Sequence, residues 1–319
     1  MTSRGSLLLL DSASMYFRAF FGVPDSVRSP DGQPIGAVRG FLEAITLLLT
    51  TRSPSRLVAC WDDDWRPAFR VAAIPSYKAH RVARDVPGTT GEEEVPDALS
   101  VQVPVIVEAL AAIGIPRIGR PGYEADDVIG TFATLEAGRP DGERSAVEIV
   151  TGDRDLFQLV DDDAPIRVLY TARGMRDLDV VDVARLRERY GVASGAAYAD
   201  MAALRGDPSD GLPGVPGIGE KTAVALLNRY GDLAGVLRAR DDGDPGLSAT
   251  QRKRLTEAAG YLDVAPTVVQ VARDVPVGVV DDALPTAPAD PDALDALAER
   301  WGLGGAVSRL VEALAARAA

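Results

Sequence analysis

Aspartate recurs in this sequence where short apolar runs end. Leu7–Leu10 runs into Asp11, Leu57–Trp61 into Asp62, Asp63 and Asp64, and Val147–Thr151 into Asp153 and Asp155. Apolar runs of this length, bounded by polar residues, read as buried strands. In open α/β sheets, ligands bind outside the carboxyl ends of the strands. Three strands delivering acids to one edge would concentrate negative charge there. Such carboxylates raise one another's pKa unless a cation neutralises them. The chemistry implied is a divalent metal site. Oxygen donors favour Mg2+ or Mn2+, and a single His and a single Cys make zinc a poor fit.

Two further acid groups join the set. Glu124, Asp126 and Asp127 open a helix in Gly-Tyr-Glu-Ala-Asp-Asp-Val, and Glu124 and Asp127, three apart, share one face of it. Asp207 and Asp210 stand three apart in a turn rich in Gly and Pro. Any one of these acids alone is most simply a helix cap, a first-turn acid complementing the helix dipole, or a turn residue. The metal reading rests on the set.

The elements that must position them alternate strand and helix through the first half. Strands are expected at 7–10, 57–61, 147–151 and 166–170, and helices at 35–51, 105–113 and 124–137, with Pro104 tolerated in a first turn. That alternation predicts a mostly parallel sheet covered by helices. From about Leu178 the strands are expected to stop. Helices are expected at 182–190, 196–205, 220–229, 233–240 and 248–263, then a Pro-rich stretch at 274–291 and a helical tail at 293–318.

Composition sets outer limits. A length of 319 residues suits two domains, or one large domain with an appendage. No apolar run approaches the roughly 20 residues of a membrane helix. Arg4 followed only by Leu7–Leu10 is too short for a secretory signal. Cys60 is the single cysteine, which fits a reducing cytoplasm. The net charge of −13 is unlike most DNA-binding domains. The acid runs Glu92–Glu94, Asp161–Asp163 and Asp241–Asp244, broken by Gly243, read as solvated loops, and setting them aside leaves a much less acidic protein.

Basic and glycine-rich elements complete the inventory. Lys78 and Arg81 lie in a long stretch without clear periodicity, 71–97, with Arg56, Arg66, Arg70 and Arg84 near in sequence. Such a loop inside a domain suits a functional lid or a disordered segment, the plain alternative being a solvated loop. Leu-Pro-Gly-Val-Pro-Gly-Ile-Gly-Glu-Lys-Thr-Ala, from Leu212, reads as a helix-hairpin-helix turn. There Gly217 and Gly219 permit close backbone approach, and the following helix start, with Lys221 and Thr222, can grip a phosphate. It is not a P-loop, because Glu220 separates Gly219 from Lys221 and no strand precedes it. Tyr16, Phe17, Phe20 and Phe21 are mostly core candidates, with base stacking open to one of them.

Together, Leu-Leu-Leu-Asp-Ser (from Leu8), Phe69-Arg70, Tyr77-Lys-Ala-His-Arg81, Gly-Tyr-Glu-Ala-Asp-Asp (from Gly122), Thr-Gly-Asp-Arg-Asp-Leu (from Thr151) and the stretch from Gly206 through the hairpin resemble the bacterial 5′-nuclease family. That family comprises the 5′→3′ exonuclease domain of DNA polymerase I and the standalone flap endonucleases. The pieces occur in family order over about residues 7 to 265. No polymerase sequence follows, so the resemblance is to the standalone, actinobacterial-like form. It implies a PIN-like α/β nuclease domain at 1–180 with an arch at about 71–98, a small all-helical helix-hairpin-helix (helix-three-turn-helix) domain at 181–275, and a linker with C-terminal helices at 276–319. The arch is implied to be helical, with a single-stranded 5′ end passing through or under it.

The resemblance also implies one metal cluster from Asp11, Asp62, Glu124, Asp126, Asp127 and Asp153, and a second from Asp155, Asp207 and Asp210. Lys78 and Arg81 would contact the reacting phosphate, while Arg70, Gly217, Gly219, Lys221 and Thr222 would contact DNA. The family's version of the turn often binds K+ through carbonyls. The family's spacing from Phe-Arg points nearer Asp63, whereas strand phase favours Asp62, with Asp64 as a same-face partner; Asp62 is the expectation taken here. Two or more Mg2+ or Mn2+ ions would clamp a phosphodiester, one activating water and one stabilising the leaving oxygen. The expected partner is DNA with 5′ ends or flaps, RNA primer 5′ ends being open, acted on by a monomer in replication and repair. The alternatives are a haloacid-dehalogenase-like phosphatase using Asp62 and Asp64, a single-domain PIN-type ribonuclease, and a non-catalytic DNA-structure-binding protein.

Overall fold

The computed structural model describes residues 5–24 and 26–318. Arg4, which entered the reading of the N-terminus, lies outside them. In chain order the elements begin with β1 (Leu7–Asp11), α1 (Ser12–Gly22), α2 (Gly36–Arg52), β2 (Arg56–Cys60), α3 (Ala68–Ala73), β3 (Val82–Arg84) and β4 (Glu92–Glu93). They continue with α4 (Asp97–Ser100), α5 (Val103–Ile113), β5 (Arg117–Ile118), α6 (Ala125–Ala137), β6 (Val147–Thr151), β7 (Ile166–Tyr170) and β8 (Asp179–Val181). Helices then follow as α7 (Val183–Tyr190), α8 (Gly195–Arg205), α9 (Glu220–Tyr230), α10 (Leu233–Asp241), α11 (Ala249–Glu257), α12 (Ala259–Val269), α13 (Pro291–Trp301) and α14 (Gly304–Ala315).

One sheet carries the first half, in the order β5-β2-β1-β6-β7-β8. Every pairing in it is parallel except β7 with β8. All five residues of β1 are buried because both faces are covered. Leu8 and Leu10 pack with Val38, Phe41, Val105 and Ile106 of α2 and α5. Leu7 and Leu9 pack toward Val128 and Ile129 of α6 and onward into the helical half. The C-terminal α13 and α14 close the first of these layers, bringing Leu294, Leu297, Leu310 and Leu314 into the same core.

β2, β1 and β6 are neighbours in parallel register, with Asp11 opposite Cys60 and Leu10 opposite Val150. Their carboxyl ends therefore emerge at one edge, and Asp62 and Asp153 follow just beyond it.

Several sequence expectations need correction. Strands do not stop at Leu178, since the three-residue β8 adds an antiparallel edge. Helix α1 was not foreseen; it starts where the Asp11 carboxylate accepts the Ser14 amide at 3.1 Å. The helix expected at 248–263 is two helices, α11 and α12, meeting at Ala258. The tail at 293–318 breaks at Gly302, which takes a left-handed conformation (φ 67°). The stretch at 71–98 is not a helical arch. It folds as the end of α3, a 3-10 turn at Ala79–Arg81, an antiparallel β3–β4 hairpin and the start of α4.

Candidate functional site

Asp11, Asp62, Glu124, Asp126 and Asp153 line one pocket of about 260 Å3 at the sheet edge, together with Lys78, Arg81, Glu93, Trp65 and Phe17. Asp11 ends β1 and caps α1, and its other oxygen accepts from Thr151 Oγ1 at 2.6 Å. Burial, reinforced by the charges of Asp62 and Asp153, pushes its carboxyl up to about 7 against the hydrogen bonds from Thr151 and Ser14. Asp62 accepts from the Ala125 amide at 2.7 Å. Burial, with help from Glu124 and Asp127, raises it to about 6 although Lys78 opposes. Asp126 is raised as well, by burial first and then by Asp11, Asp153 and Glu124.

The three aspartates after β2 separate cleanly. Asp62 faces the pocket. Asp63 turns away and pairs with Arg117 at 2.5 Å. Asp64 accepts from the Arg66 amide at 3.2 Å in the turn and does not line the pocket.

The expected second cluster sits alongside. Asp155 opens a 3-10 turn, and its carboxyl is raised by burial and by Asp153, Asp210 and Asp207. Asp210 is buried, accepts from Arg81 at 2.9 Å, and is raised by burial and Asp153 while Lys78 and Arg81 oppose. Asp207 folds back onto Ser209, whose amide it accepts at 2.9 Å.

Two expected site residues have other roles. Arg70 is not available to DNA: it is 2% exposed. Its guanidinium holds both oxygens of Asp127, at 2.8 and 2.6 Å, pairs with Glu124, and donates to the Val268 carbonyl at 3.2 Å. Asp127 is fully buried and also accepts the amides of Glu124 (3.1 Å) and Ala272 (2.7 Å). Its oxygens are saturated within the protein, so it is an internal anchor rather than a pocket ligand. The pair ties α3, α6 and the end of α12 together.

Lys78 adopts a left-handed backbone (φ 47°), uncommon for a residue with a side chain. That turn directs its ammonium to Glu124, which also accepts from Tyr77 Oη at 2.8 Å. Burial opposes the charge on Lys78, but Glu124, Tyr77 and Asp210 outweigh it and raise the pKa, keeping the ammonium charged. The Lys78 amide donates to the Asp210 carbonyl at 3.0 Å, which locks the base of the lid to the second acid group.

The β3–β4 hairpin is stitched down. Trp65 Nε1 donates to the Gly91 carbonyl (3.2 Å), Arg66 Nη1 to the Thr90 carbonyl (2.7 Å), and the Glu94 amide to the Arg81 carbonyl (3.0 Å). Glu93, read from sequence as part of a solvated run, lies opposite Val82 and lines the pocket. Burial and the charge of Asp62 raise its pKa. Its neighbours Glu92 and Glu94 gave no signal that would single it out, and only the hairpin register does so.

The turn from Leu212 behaves as expected locally. Gly217 has φ 77°, Gly219 is the N-cap of α9, and Lys221 is exposed in its first turn with Thr222 half-buried beside it. Val215 and Ile218 anchor it in the core. Arg254, not foreseen, lies against the turn and donates to the Gly217 carbonyl at 2.9 Å.

Among the described residues no three acid, His or Cys side chains already stand in a metal-binding arrangement. Glu124 in the pocket is turned to Lys78 and Arg70, and Asp210 outside its lining is turned to Arg81. The donor chemistry nevertheless fits hard divalent cations: several buried carboxylates raise one another, and all the donors are oxygens.

Comparison with known proteins is consistent along the whole chain. Residues 6–191 match the family model for the 5′-3′ exonuclease N-terminal resolvase-like domain, and residues 193–292 the 5′-3′ exonuclease C-terminal SAM fold. A protein named 5′-3′ exonuclease from Streptomyces coelicolor is 60% identical over 309 residues, covering 97% of this chain and 100% of that one. One of the same name from Mycobacterium tuberculosis is 50% identical over 318 residues, covering 98% of each. The T5 D15 protein, co-crystallized with metal ions, shares the fold at TM-score 0.62 and 14% identity, covering 98% of this chain and 100% of that one.

Proposed function

The chain belongs to the 5′-3′ exonuclease family and is a hydrolytic nuclease of the exonuclease and flap-endonuclease type; from that premise we propose that its acid pocket holds divalent ions, Mg2+ or Mn2+, and cuts DNA near 5′ ends and flaps. The observation that carries this reading is the meeting of Asp11, Asp62, Glu124, Asp126 and Asp153 with Lys78 and Arg81 in one pocket. Asp11, Asp62, Asp126 and Asp153 would hold the first ion with Glu124, and Asp155, Asp207 and Asp210 a second. Bound ions supply water activation and neutralise charge on the phosphate.

The protein's own groups do the rest. Lys78 and Arg81 bind the scissile phosphate from the lid side and stabilise charge that grows on its oxygens. Gly217, Gly219, Lys221 and Thr222 grip the backbone of the duplex through the start of α9, reading shape rather than sequence. A potassium ion at this turn would have to share the Gly217 carbonyl with Arg254. Among the described residues no helix is long and apolar enough to cross a membrane, and the buried single cysteine suits the cytoplasm.

A haloacid-dehalogenase-like reading needs Asp62 and Asp64 in one pocket, and Asp64 lies outside it. The test is a 5′-labelled flap duplex with Mg2+, Mn2+ or EDTA. Asp153→Ala is expected to abolish cleavage and keep flap binding. Mg2+-dependent cleavage by that variant would overturn the mechanism. Product length on the parent enzyme reports the balance: mononucleotides mean exonuclease action, an intact flap endonuclease action.

A further inference from the structure

Arg254 reaches the α9 turn from another helix. α11 begins at Ser248, which forms a reciprocal cap with Gln251, and the fully buried Leu255 fixes the phase of the helix. One residue before Leu255, the half-buried Arg254 brings its guanidinium against Gly217 and donates from Nη1 to the Gly217 carbonyl at 2.9 Å. A methyl added at Gly217 would stand 2.5 Å from Arg254 Cζ and Nη1 and 2.8 Å from Nη2. Glycine therefore meets two demands at this position. It takes the left-handed φ of 77°, and it leaves a seat for the guanidinium that any side chain would close.

The charges around this seat do not cancel. The acid nearest in sequence to Lys221 is Glu220, and Arg205 holds it at 3.1 Å. The acid nearest in sequence to Arg254 is Glu257, which pairs with Lys253 at 3.8 Å. Among the described residues no carboxylate pairs with Arg254 or Lys221. Beside them, the N-cap Gly219 and the first helical residues Glu220, Lys221 and Thr222 hold amides with no intrahelical acceptor. The acidic chain thus keeps two uncompensated cations and a helix start together at one turn. The support is rigid, since Val215 and Ile218 tie the turn to the core and Leu255 does the same for α11.

A guanidinium held through one N–H keeps others for a phosphate, and its planar fork suits two phosphate oxygens at once. We propose that Arg254 is a further DNA-binding residue, and that it holds a backbone phosphate next to the one gripped by the start of α9. Two helices separated in the chain, α9 and α11, then clasp neighbouring phosphates of one strand. Gly217 serves this clasp by seating the guanidinium as well as by shaping the turn. The contact carries charge and position but no base sequence. This inference rests on the nuclease reading above, and it adds α11 to the surface that reading assigns to DNA.

The test measures binding of the full-length protein to a fluorescein-labelled 5′-flap duplex by anisotropy, in EDTA so that nothing is cut, across a salt series. Arg254→Ala and Arg254→Gln are expected to lower the slope of log affinity against log salt by about 0.9, the share of one duplex phosphate, and Arg254→Lys to restore it. In a second arm, single uncharged methylphosphonates replace the phosphates of the duplex one position at a time. The parent should lose affinity at two neighbouring positions. Arg254→Gln should be indifferent at one of them and Lys221→Ala at the other. A residue that only braces the turn would lower affinity with the slope unchanged and leave the methylphosphonate pattern as in the parent, and that result overturns the proposal. If Arg254→Ala fails to fold, Arg254→Gln carries both arms. A parent that binds, loses slope on Lys221→Ala and keeps it on Arg254→Gln sinks this inference alone. A parent with no salt-dependent binding to the flap duplex sinks the nuclease reading and this inference with it.

Discussion

Asp127→Ala is expected to cost the protein stability rather than metal. The Asp127 carboxylate is fully buried between the Arg70 guanidinium, at 2.8 and 2.6 Å, and the amides of Glu124 and Ala272, at 3.1 and 2.7 Å. Removing one partner of a buried pair costs about 3–5 kcal/mol when the other is left uncompensated; Arg70 keeps Glu124, which places the cost at the lower end, about 3 kcal/mol. The two orphaned amides add to that, each by on the order of 1–3 kcal/mol where water cannot reach it. The roughly 2–4 °C per kcal/mol of domains of about 150–250 residues falls with size, so for 319 residues 1 kcal/mol corresponds to roughly 2 °C. The total of about 5–9 kcal/mol should therefore lower the midpoint by about 10–18 °C in EDTA. Restoring shape without charge, as Arg70→Met/Asp127→Leu, should recover part of the loss, because no guanidinium is then stranded and Glu124 keeps Lys78. The assay is thermal and urea unfolding, paired with Mn2+ binding to the folded protein below the transition. A midpoint within about 2 °C of the parent, combined with an affinity loss of about tenfold, roughly 1.4 kcal/mol, would refute the reasoning and make Asp127 a ligand.

Two further outcomes follow from the same pocket. Asp62→Asn should abolish cleavage, whereas Asp63→Asn, which breaks only a half-exposed pair with Arg117, should keep it and change stability by no more than about 1 kcal/mol; cleavage assays on the two variants side by side decide this, and the reverse pattern would put Asp63 in the site. The pH dependence has a definite sign. Burial raises Asp11 from 3.8 to about 7 and Asp62 from 3.8 to about 6, so the folded protein keeps protons that the unfolded chain releases. In EDTA, stability from these groups should therefore fall as pH rises from about 4 through about 7 and level off above. Asp11 contributes at most ~4 kcal/mol at ~1.36 kcal/mol per pKa unit. Urea unfolding across that range checks it: Asp11→Asn should flatten the fall, saturating Mg2+ should remove it by favouring the ionised forms, and a stability that rises with pH would contradict it.

One kind of sequence signal, an acid at a strand end or in a first helical turn, meets three different fates here, and the reasons show what was legible. Asp11, Asp62 and Asp153 were legible because their placement is local: parallel strands in register must release their carboxyl ends at one edge. Strand phase also separated Asp62 from Asp63, since alternate residues after β2 point to opposite sides, one toward the pocket and one toward Arg117. Asp127 was not legible. Its spacing from Glu124 is right for one helix face, but its partner comes from Arg70, 57 residues upstream, and from Ala272, 145 residues downstream. No window of sequence contains those contacts. Glu93 failed in the opposite way, because an acid run normally marks a solvated loop and only the pairing of Glu93 with Val82 turns one member inward. β8 is too short to show a period, and α1 opens with Ser-Ala-Ser, which hides a helix whose start depends on the Asp11 cap. An acid motif thus locates the site edge. Whether a given carboxylate faces the pocket, a buried arginine or the surface is decided by whichever distant element packs against it, and in this chain those elements are α3, the hairpin lid and the strand end at Arg117.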